Sequence, residues 1–190
     1  MTTSKINCVI IGDKSVGKTT ALMVYSQKEF PKNDIPMTCE KIDVDVSNDK
    51  TEAILSLFDY SGKEHLNELD SNDLNVDVFL IMFSTVDRDS FENIKTKWFQ
   101  EIRKKDLQTP IVLIGTKIDL RNDPNYLQDH EIEPITKEEG TKLAKELGAI
   151  DYQEISSLSL ENIDNLFRSS ISSGLKRKIA NSKKENCLIL

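Results

Sequence analysis

The stretch Gly12–Thr19 has the spacing G-x-x-x-x-G-K-[ST], and each fixed position has a chemical reason. Gly12 and Gly17 allow a tight loop whose backbone N–H groups can cradle phosphate oxygens, through Lys14, Ser15, Val16, Gly17, Lys18, Thr19 and Thr20. The Lys18 ammonium can reach the terminal phosphates of a nucleotide, and the Thr19 hydroxyl can ligate Mg²⁺. The plainer alternative is a glycine-rich turn with a solvated lysine. The surroundings disfavour it, because an apolar strand pattern runs into the loop and a helix pattern leaves it, aiming a helix N-terminus at the anion.

Two further clusters fit the same chemistry. Asp59-Tyr60-Ser61-Gly62 is a D-x-x-G. A carboxylate at a strand end beside the phosphate loop can hold Mg²⁺ through water, and Gly62 lets a backbone N–H approach the last phosphate. Gly115-Thr116-Lys117-Ile118-Asp119 ends another strand. The Asp119 carboxylate can accept from the adjacent N–H and NH₂ donors of guanine, a pair that adenine lacks. Lys117 can lie along the base, and Ser156-Ser157-Leu158 can offer a backbone N–H to the guanine carbonyl. The plainer alternative for Lys117 and Asp119 is a surface ion pair.

These residues need a frame. Ile6–Ile11, Val78–Phe83 and Ile111–Ile114 are continuous apolar runs, as expected of parallel strands covered on both faces. Lys41–Val46 alternates like an edge strand and should pair with Ile54–Phe58 across an Asn48–Asp49 turn. Phe91, Ile94, Trp98 and Ile102 share one helical face, as do Ile163, Leu166, Phe167 and Ile171. Thr136 and Glu139 are spaced as a capping box for a helix reaching Leu147. The order predicts a three-layer α/β fold with a mostly parallel sheet. The apolar pattern stops near Leu175, so residues 1–174 are expected to form one domain and 175–190 a flexible basic tail.

The chain has 190 residues and a net charge of −7, which argues against nucleic acid as a partner, since phosphate backbones need clustered cations. Cations do crowd the last residues: Lys176, Arg177, Lys178, Lys183 and Lys184. Three cysteines are too scattered for a disulfide framework. No signal-peptide pattern opens the chain and no apolar run is long enough to span a bilayer, so a cytosolic setting is expected. Trp98 reads as core, Cys8 as a buried inert thiol, and His65 and His130 as solvated.

In this order and spacing, the motifs resemble the Ras superfamily across nearly the whole chain. Asp77–Ile81, Ser90–Ile94, Lys97-Trp98 and Gly115–Arg121 are similar to its Rho/Rac branch. The stretch from Arg121 to Pro134 resembles a shortened form of that branch's insert helix. The resemblance implies the P-loop GTPase fold, a mostly parallel six-stranded sheet with one antiparallel edge strand. It implies GTP and GDP as ligands with Mg²⁺, and Phe30 packed edge-on against guanine. It also implies exchange factors, effectors and a GDP-dissociation inhibitor bound through switch regions 31–41 and 61–73, with actin signalling as the process. A monomer is the default. A nucleotide-insensitive scaffold and a P-loop phosphotransferase remain as alternatives.

Three positions depart from that family's pattern, and all concern the last phosphate. Lys14 stands where the family has glycine. Lys63 stands where it has the glutamine that orients water; an ammonium only donates, so Lys63 can supply charge but cannot accept from the nucleophile. Met37 stands where the family has its switch threonine, and a thioether is a poor Mg²⁺ ligand. Thr38 could serve instead only after a one-residue slip. Slow GTP hydrolysis is therefore expected, with Lys18 and Lys63 as the catalytic candidates and Thr19, Asp59 and Thr38 as the metal candidates. The chain ends Cys187-Leu188-Ile189-Leu190, which predicts geranylgeranylation of Cys187. With the basic tail, this predicts attachment to the cytoplasmic face of an anionic membrane, the plasma membrane first.

Overall fold

The computed structural model describes residues 4–32, 41–48, 51–60, 75–105 and 108–187. Strands β1 (Ser4–Gly12), β2 (Ile42–Asn48), β3 (Thr51–Tyr60), β4 (Val78–Ser84), β5 (Ile111–Thr116) and β6 (Asp151–Glu154) form one sheet. Their order is β2-β3-β1-β4-β5-β6, and only β2 is antiparallel to its neighbour. The expected fold, a mostly parallel six-stranded α/β sheet with an antiparallel edge, is the one observed.

Period-two alternation divides the core into two layers. Ile6, Cys8 and Ile10 of β1, with Val78, Leu80 and Met82 of β4, face one side of the sheet. Val9, Ile11, Phe79, Ile81 and Phe83 face the other. The first layer is closed by α1 (Lys18–Gln27) and by the C-terminal helix. The second is closed by a long helix beginning at Arg88 and by the helix ending at Leu147. Because both faces are covered, β4 and β5 are buried from end to end, which is why they read as unbroken apolar runs.

The helix from Arg88 has three parts: α2 (Arg88–Asn93), a π-helical turn (Ile94–Trp98) and α3 (Phe99–Lys105). The short helices α4 (Ile118–Arg121) and α5 (Pro124–Asp129) follow β5, and Asp123 caps α5 with proline at its first position. Helix α6 (Lys137–Leu147) starts with the capping box expected from Thr136 and Glu139. Trp98 is fully buried as core, and burial pushes the Cys8 thiol up, so it stays a neutral packing group.

Two expectations need correction. Asn48 pairs with Thr51, so Asn48 belongs to β2 and not to the turn expected at Asn48–Asp49; residues 49–50 lie outside the described residues. Helix α7 spans Ile163–Cys187, so the boundary placed between 174 and 175 falls inside a helix. Leu175 packs on the core, and Lys178 pairs with the buried Asp77 at 3.3 Å. Asp77 also accepts from the Asn7 N–H at 2.8 Å, tying α7 to β1. One buried carboxylate holds this turn of helix in place, where hydropathy alone showed nothing. Among the described residues no helix is long and apolar enough to cross a membrane.

The parallel strands end at one edge of the sheet, and the described candidate residues of the phosphate and base motifs lie there. The approach of α6 to β6 is close. A Cβ on Gly140 would lie 2.1 Å from the Tyr152 hydroxyl, which is itself held by Glu154 at 2.8 Å. Gly140→Ala should therefore destabilise the fold by about 1–3 kcal/mol despite alanine's better helix propensity. Urea denaturation would check this.

Candidate functional site

Strand β1 delivers the phosphate loop by running into Gly12, whose φ is +149°. A Cβ there would lie 2.2 Å from the backbone oxygen of Met82 on β4, so only glycine lets the loop leave the sheet at this point. Ser15 and Gly17 also have positive φ, at 60° and 96°. Loops of this shape turn successive N–H groups toward one side, a concavity that suits an anion. Val16 anchors the loop by burying its side chain in the first core layer.

Helix α1 then begins with no side chain capping its first N–H groups and no acid in its first turn. Helices α2, α5 and α6 are capped by Asp87, Asp123 and Thr136. The unmet donors of α1 point to an anion as the missing partner.

Lys18 is 4% exposed, and its ammonium donates to Gly12 O at 3.0 Å and Asp13 O at 2.6 Å. Burial pulls its pKa below the usual lysine value, with the Asp59 and Asp13 carboxylates opposing. Thr19 Oγ1 donates to Asp59 Oδ2 in a short contact. The other oxygen, Asp59 Oδ1, is buried with no partner among the described residues. Burial pushes the Asp59 carboxyl up, opposed by the Thr19 hydroxyl and the Lys18 charge.

The orphaned oxygen beside a threonine hydroxyl fits a hard divalent cation. Mg²⁺ is held by few protein oxygens and retains water and phosphate ligands. Among the described residues no three His, Cys, Asp or Glu side chains gather elsewhere as a metal site.

The base-side residues converge on the same edge. Asp119 Oδ1 accepts from Ser156 Oγ at 2.6 Å, joining the two loops that flank the candidate base pocket. Among the described residues no ion pair joins Lys117 to Asp119, so the plainer reading of a surface salt bridge does not describe this site. Lys117 has φ 60°, and burial lowers its pKa against the Asp87 and Asp119 charges. Ser157 is half-buried, while Leu158 is 58% and Phe30 37% exposed at the rim.

The sequence profile of the Ras family matches residues 7–176, most of the chain and all of these elements. The chain belongs to the Ras family. It is a small GTPase domain, a nucleotide-binding switch.

Several contacts that order this GTPase's loops are not visible in the motifs themselves. Thr116 is turned inward: its hydroxyl lies 2.5 Å from Val16 O and 3.0 Å from Phe83 O. It therefore braces the base loop against the phosphate loop. Thr85 Oγ1 lies 2.9 Å from Thr116 O and 3.2 Å from Lys117 O. Arg121 makes two bonds to Glu154, at 2.6 and 2.8 Å, joining the segment after Asp119 to the strand before Ser156. Arg121 stands in the quoted Gly115–Arg121 stretch, but nothing in the residue pattern distinguishes Glu154 from a surface acid. Gly62, Lys63, Met37, Thr38, Cys39 and His65 lie outside the described residues, as do most of the two switch segments.

Burial raises the Glu154 carboxyl, but Arg121 and the Tyr152 hydroxyl outweigh it and leave the group below the ordinary glutamate range. A carboxyl depressed by folding stabilises the native state above its unfolded pKa of about 4.3, and that contribution fades as pH falls through the folded value. Glu154→Gln should cost about 2–3 kcal/mol at neutral pH by leaving Arg121 half-paired. The gap between wild type and variant should narrow below about pH 4. Denaturant titrations at several pH values would measure both.

Proposed function

We propose that this GTPase is a Rho-like signalling switch that holds GTP but hydrolyses it slowly. The observation that carries the reading is an asymmetry within the site. On the β-phosphate, metal and base sides each polar side chain is held by another group: Lys18 by Gly12 O, Thr19 by Asp59 and Ser156 by Asp119. On the side of the last phosphate, Lys14 is exposed in the loop and makes no hydrogen bond or ion pair among the described residues.

On this reading Asp119 accepts from the guanine donors, and Lys117 and Phe30 flank the base. The loop N–H groups from Lys14 to Thr20 hold phosphate oxygens, and the backbone of Ser156, Ser157 and Leu158 meets the guanine carbonyl. Thr19 and, through water, Asp59 would hold Mg²⁺, which would supply positive charge to the phosphate oxygens. Lys18 can leave its two loop carbonyls for the same oxygens as negative charge builds on the leaving group.

Positioning of the attacking water then limits the rate. Lys63 has no lone pair with which to accept from water, Met37 offers no hard oxygen to the metal, and the Lys14 side chain occupies space that glycine would leave open. Removing an oriented nucleophile forfeits part of the proximity advantage without weakening ground-state binding. The Rho likeness rests on the quoted sequence blocks and on the short α5 within the stretch 121–134. It brings exchange factors, effectors and a GDP-dissociation inhibitor at 31–41 and 61–73, and cytoskeletal signalling as the process.

Membrane attachment completes the proposal. Cys187 ends α7 and would carry the geranylgeranyl group. Lys178 is engaged by Asp77, so the attraction to an anionic leaflet rests on the remaining basic residues of the tail.

Single-turnover phosphate release from GTP-loaded protein with Mg²⁺ tests the catalytic claim. The expected rate is at least about tenfold below the Ras-like intrinsic value of roughly 3–5 × 10⁻⁴ s⁻¹. A rate within that range would refute slow hydrolysis while leaving nucleotide binding intact. Fractionation of Cys187→Ser tests attachment: the variant should move wholly to the soluble fraction, and unchanged membrane association would exclude the lipid.

A further inference from the structure

The carboxylate of Asp13 sits inside the phosphate loop, where a negative charge facing the ligand would oppose binding. It is drawn away by three donors from one helix: Asn93 Nδ2 at 2.6 Å, Trp98 Nε1 at 2.9 Å and Lys97 Nζ at 3.3 Å. The cluster is closed on itself, since the Lys97 ammonium also lies 4.0 Å from the Trp98 ring centroid.

This convergence depends on the π-helical turn. In an α-helix, residues five apart lie about 140° around the axis, so Asn93 and Trp98 would face different sides. The turn is closed by the Phe99 N–H donating to Ile94 O, and i→i+5 bonding widens the turn so that residues five apart lie much nearer one face than in an α-helix. Asn93, Lys97 and Trp98 can then meet one carboxylate. On the loop side, the carbonyl of the same residue, Asp13 O, holds the Lys18 ammonium. One residue therefore links the helix to the lysine through its two ends.

We infer that Asp13 is a positioning residue for nucleotide: the π-turn brace on its carboxylate keeps the phosphate loop and Lys18 in their binding shape and slows nucleotide release. The inference rests on the reading of this edge as the guanine-nucleotide site. It assigns Asp13 no contact with the ligand. Asp13 acts through the loop backbone and through Lys18.

The structure supplies its own reporter, because Trp98 is the only tryptophan in the chain and its indole N–H touches the Asp13 carboxylate. The experiment loads wild type, Asp13→Ala, Asp13→Asn and Trp98→Phe with GDP and Mg²⁺. Release into excess unlabelled GDP is followed with a labelled nucleotide, and tryptophan emission is recorded in parallel.

Asp13→Ala should release GDP about tenfold faster than wild type, equivalent to about 1.4 kcal/mol. Asp13→Asn keeps an acceptor oxygen and should recover much of the difference. Trp98→Phe keeps the packing but loses one donor, and should accelerate release about threefold. Trp98 emission should change on GDP release in wild type and Asp13→Asn, and lose that response in Asp13→Ala. Thermal unfolding of the loaded proteins establishes that each variant is folded.

Release from Asp13→Ala at the wild-type rate would overturn the inference. So would a lowered melting temperature with unchanged release in both Asp13 variants, which would make the cluster a helix-packing contact alone. A wild type that cannot retain GDP would overturn the nucleotide reading and this inference with it. A wild type that retains GDP beside an equally retentive Asp13→Ala would overturn this inference alone.

Discussion

A nearly buried ammonium, that of Lys18, sets the terms for the residues around it. Taken out of water, it is held by the carbonyls of Gly12 and Asp13, with the Asp59 and Asp13 carboxylates offsetting part of the desolvation. Those carbonyls can meet it only if the chain turns back on itself directly after β1. That turn requires a glycine at position 12, pressed against the Met82 backbone, and positive φ at Ser15 and Gly17. Among the described residues, no side chain caps the N-terminus of α1 that follows this turn. A site that stabilises one cation internally is thereby prepared for an anion with a metal alongside.

The sheet supports this loop from both sides. Met82 of β4 lies opposite Gly12, and Asp59 of β3 opposite Ile10, so the strand order puts the metal carboxylate beside the phosphate loop without any local sequence link. Thr116 at the end of β5 ties the base loop to Val16 O. Beyond it, Asp119 with Ser156 and Arg121 with Glu154 fix the last two loops to each other. Each link is a short polar bond at the edge where parallel strands end, the usual location of ligand sites in open α/β sheets. The candidate phosphate, metal and base elements are thus held in mutual register by contacts within the protein.

Much of this was legible in the chain because the signals are local. Glycines at fixed spacing before a lysine and threonine, a carboxylate at a strand end and a capping box are each decided by a few neighbouring residues. Buried strands show as apolar runs for the same reason. The errors fell where the deciding partner is distant. Asn48 looks like a turn residue, yet its pairing with Thr51 makes it strand. The stretch after Leu175 loses its apolar period, yet a turn of it is docked by Asp77, about a hundred residues away. Nothing in the spacing shows the Thr116 hydroxyl held against Val16 O, a contact that only the fold makes.

The residue types and spacings alone determined the alternation that builds a parallel sheet and pointed to the chemistry on offer: a candidate phosphate loop, a candidate hard-metal oxygen pair and a candidate guanine-binding carboxylate. Tertiary structure decided which side chains bind and which brace. Asp13 lies within the phosphate motif at a position the motif leaves open. It became a tether only because a π-helical turn some eighty residues away presents Asn93, Lys97 and Trp98 on one side. The physical reason is that hydrogen bonds between side chains depend on position to within a few tenths of an ångström. Sequence spacing sets such positions within one turn or loop, and between elements only packing does.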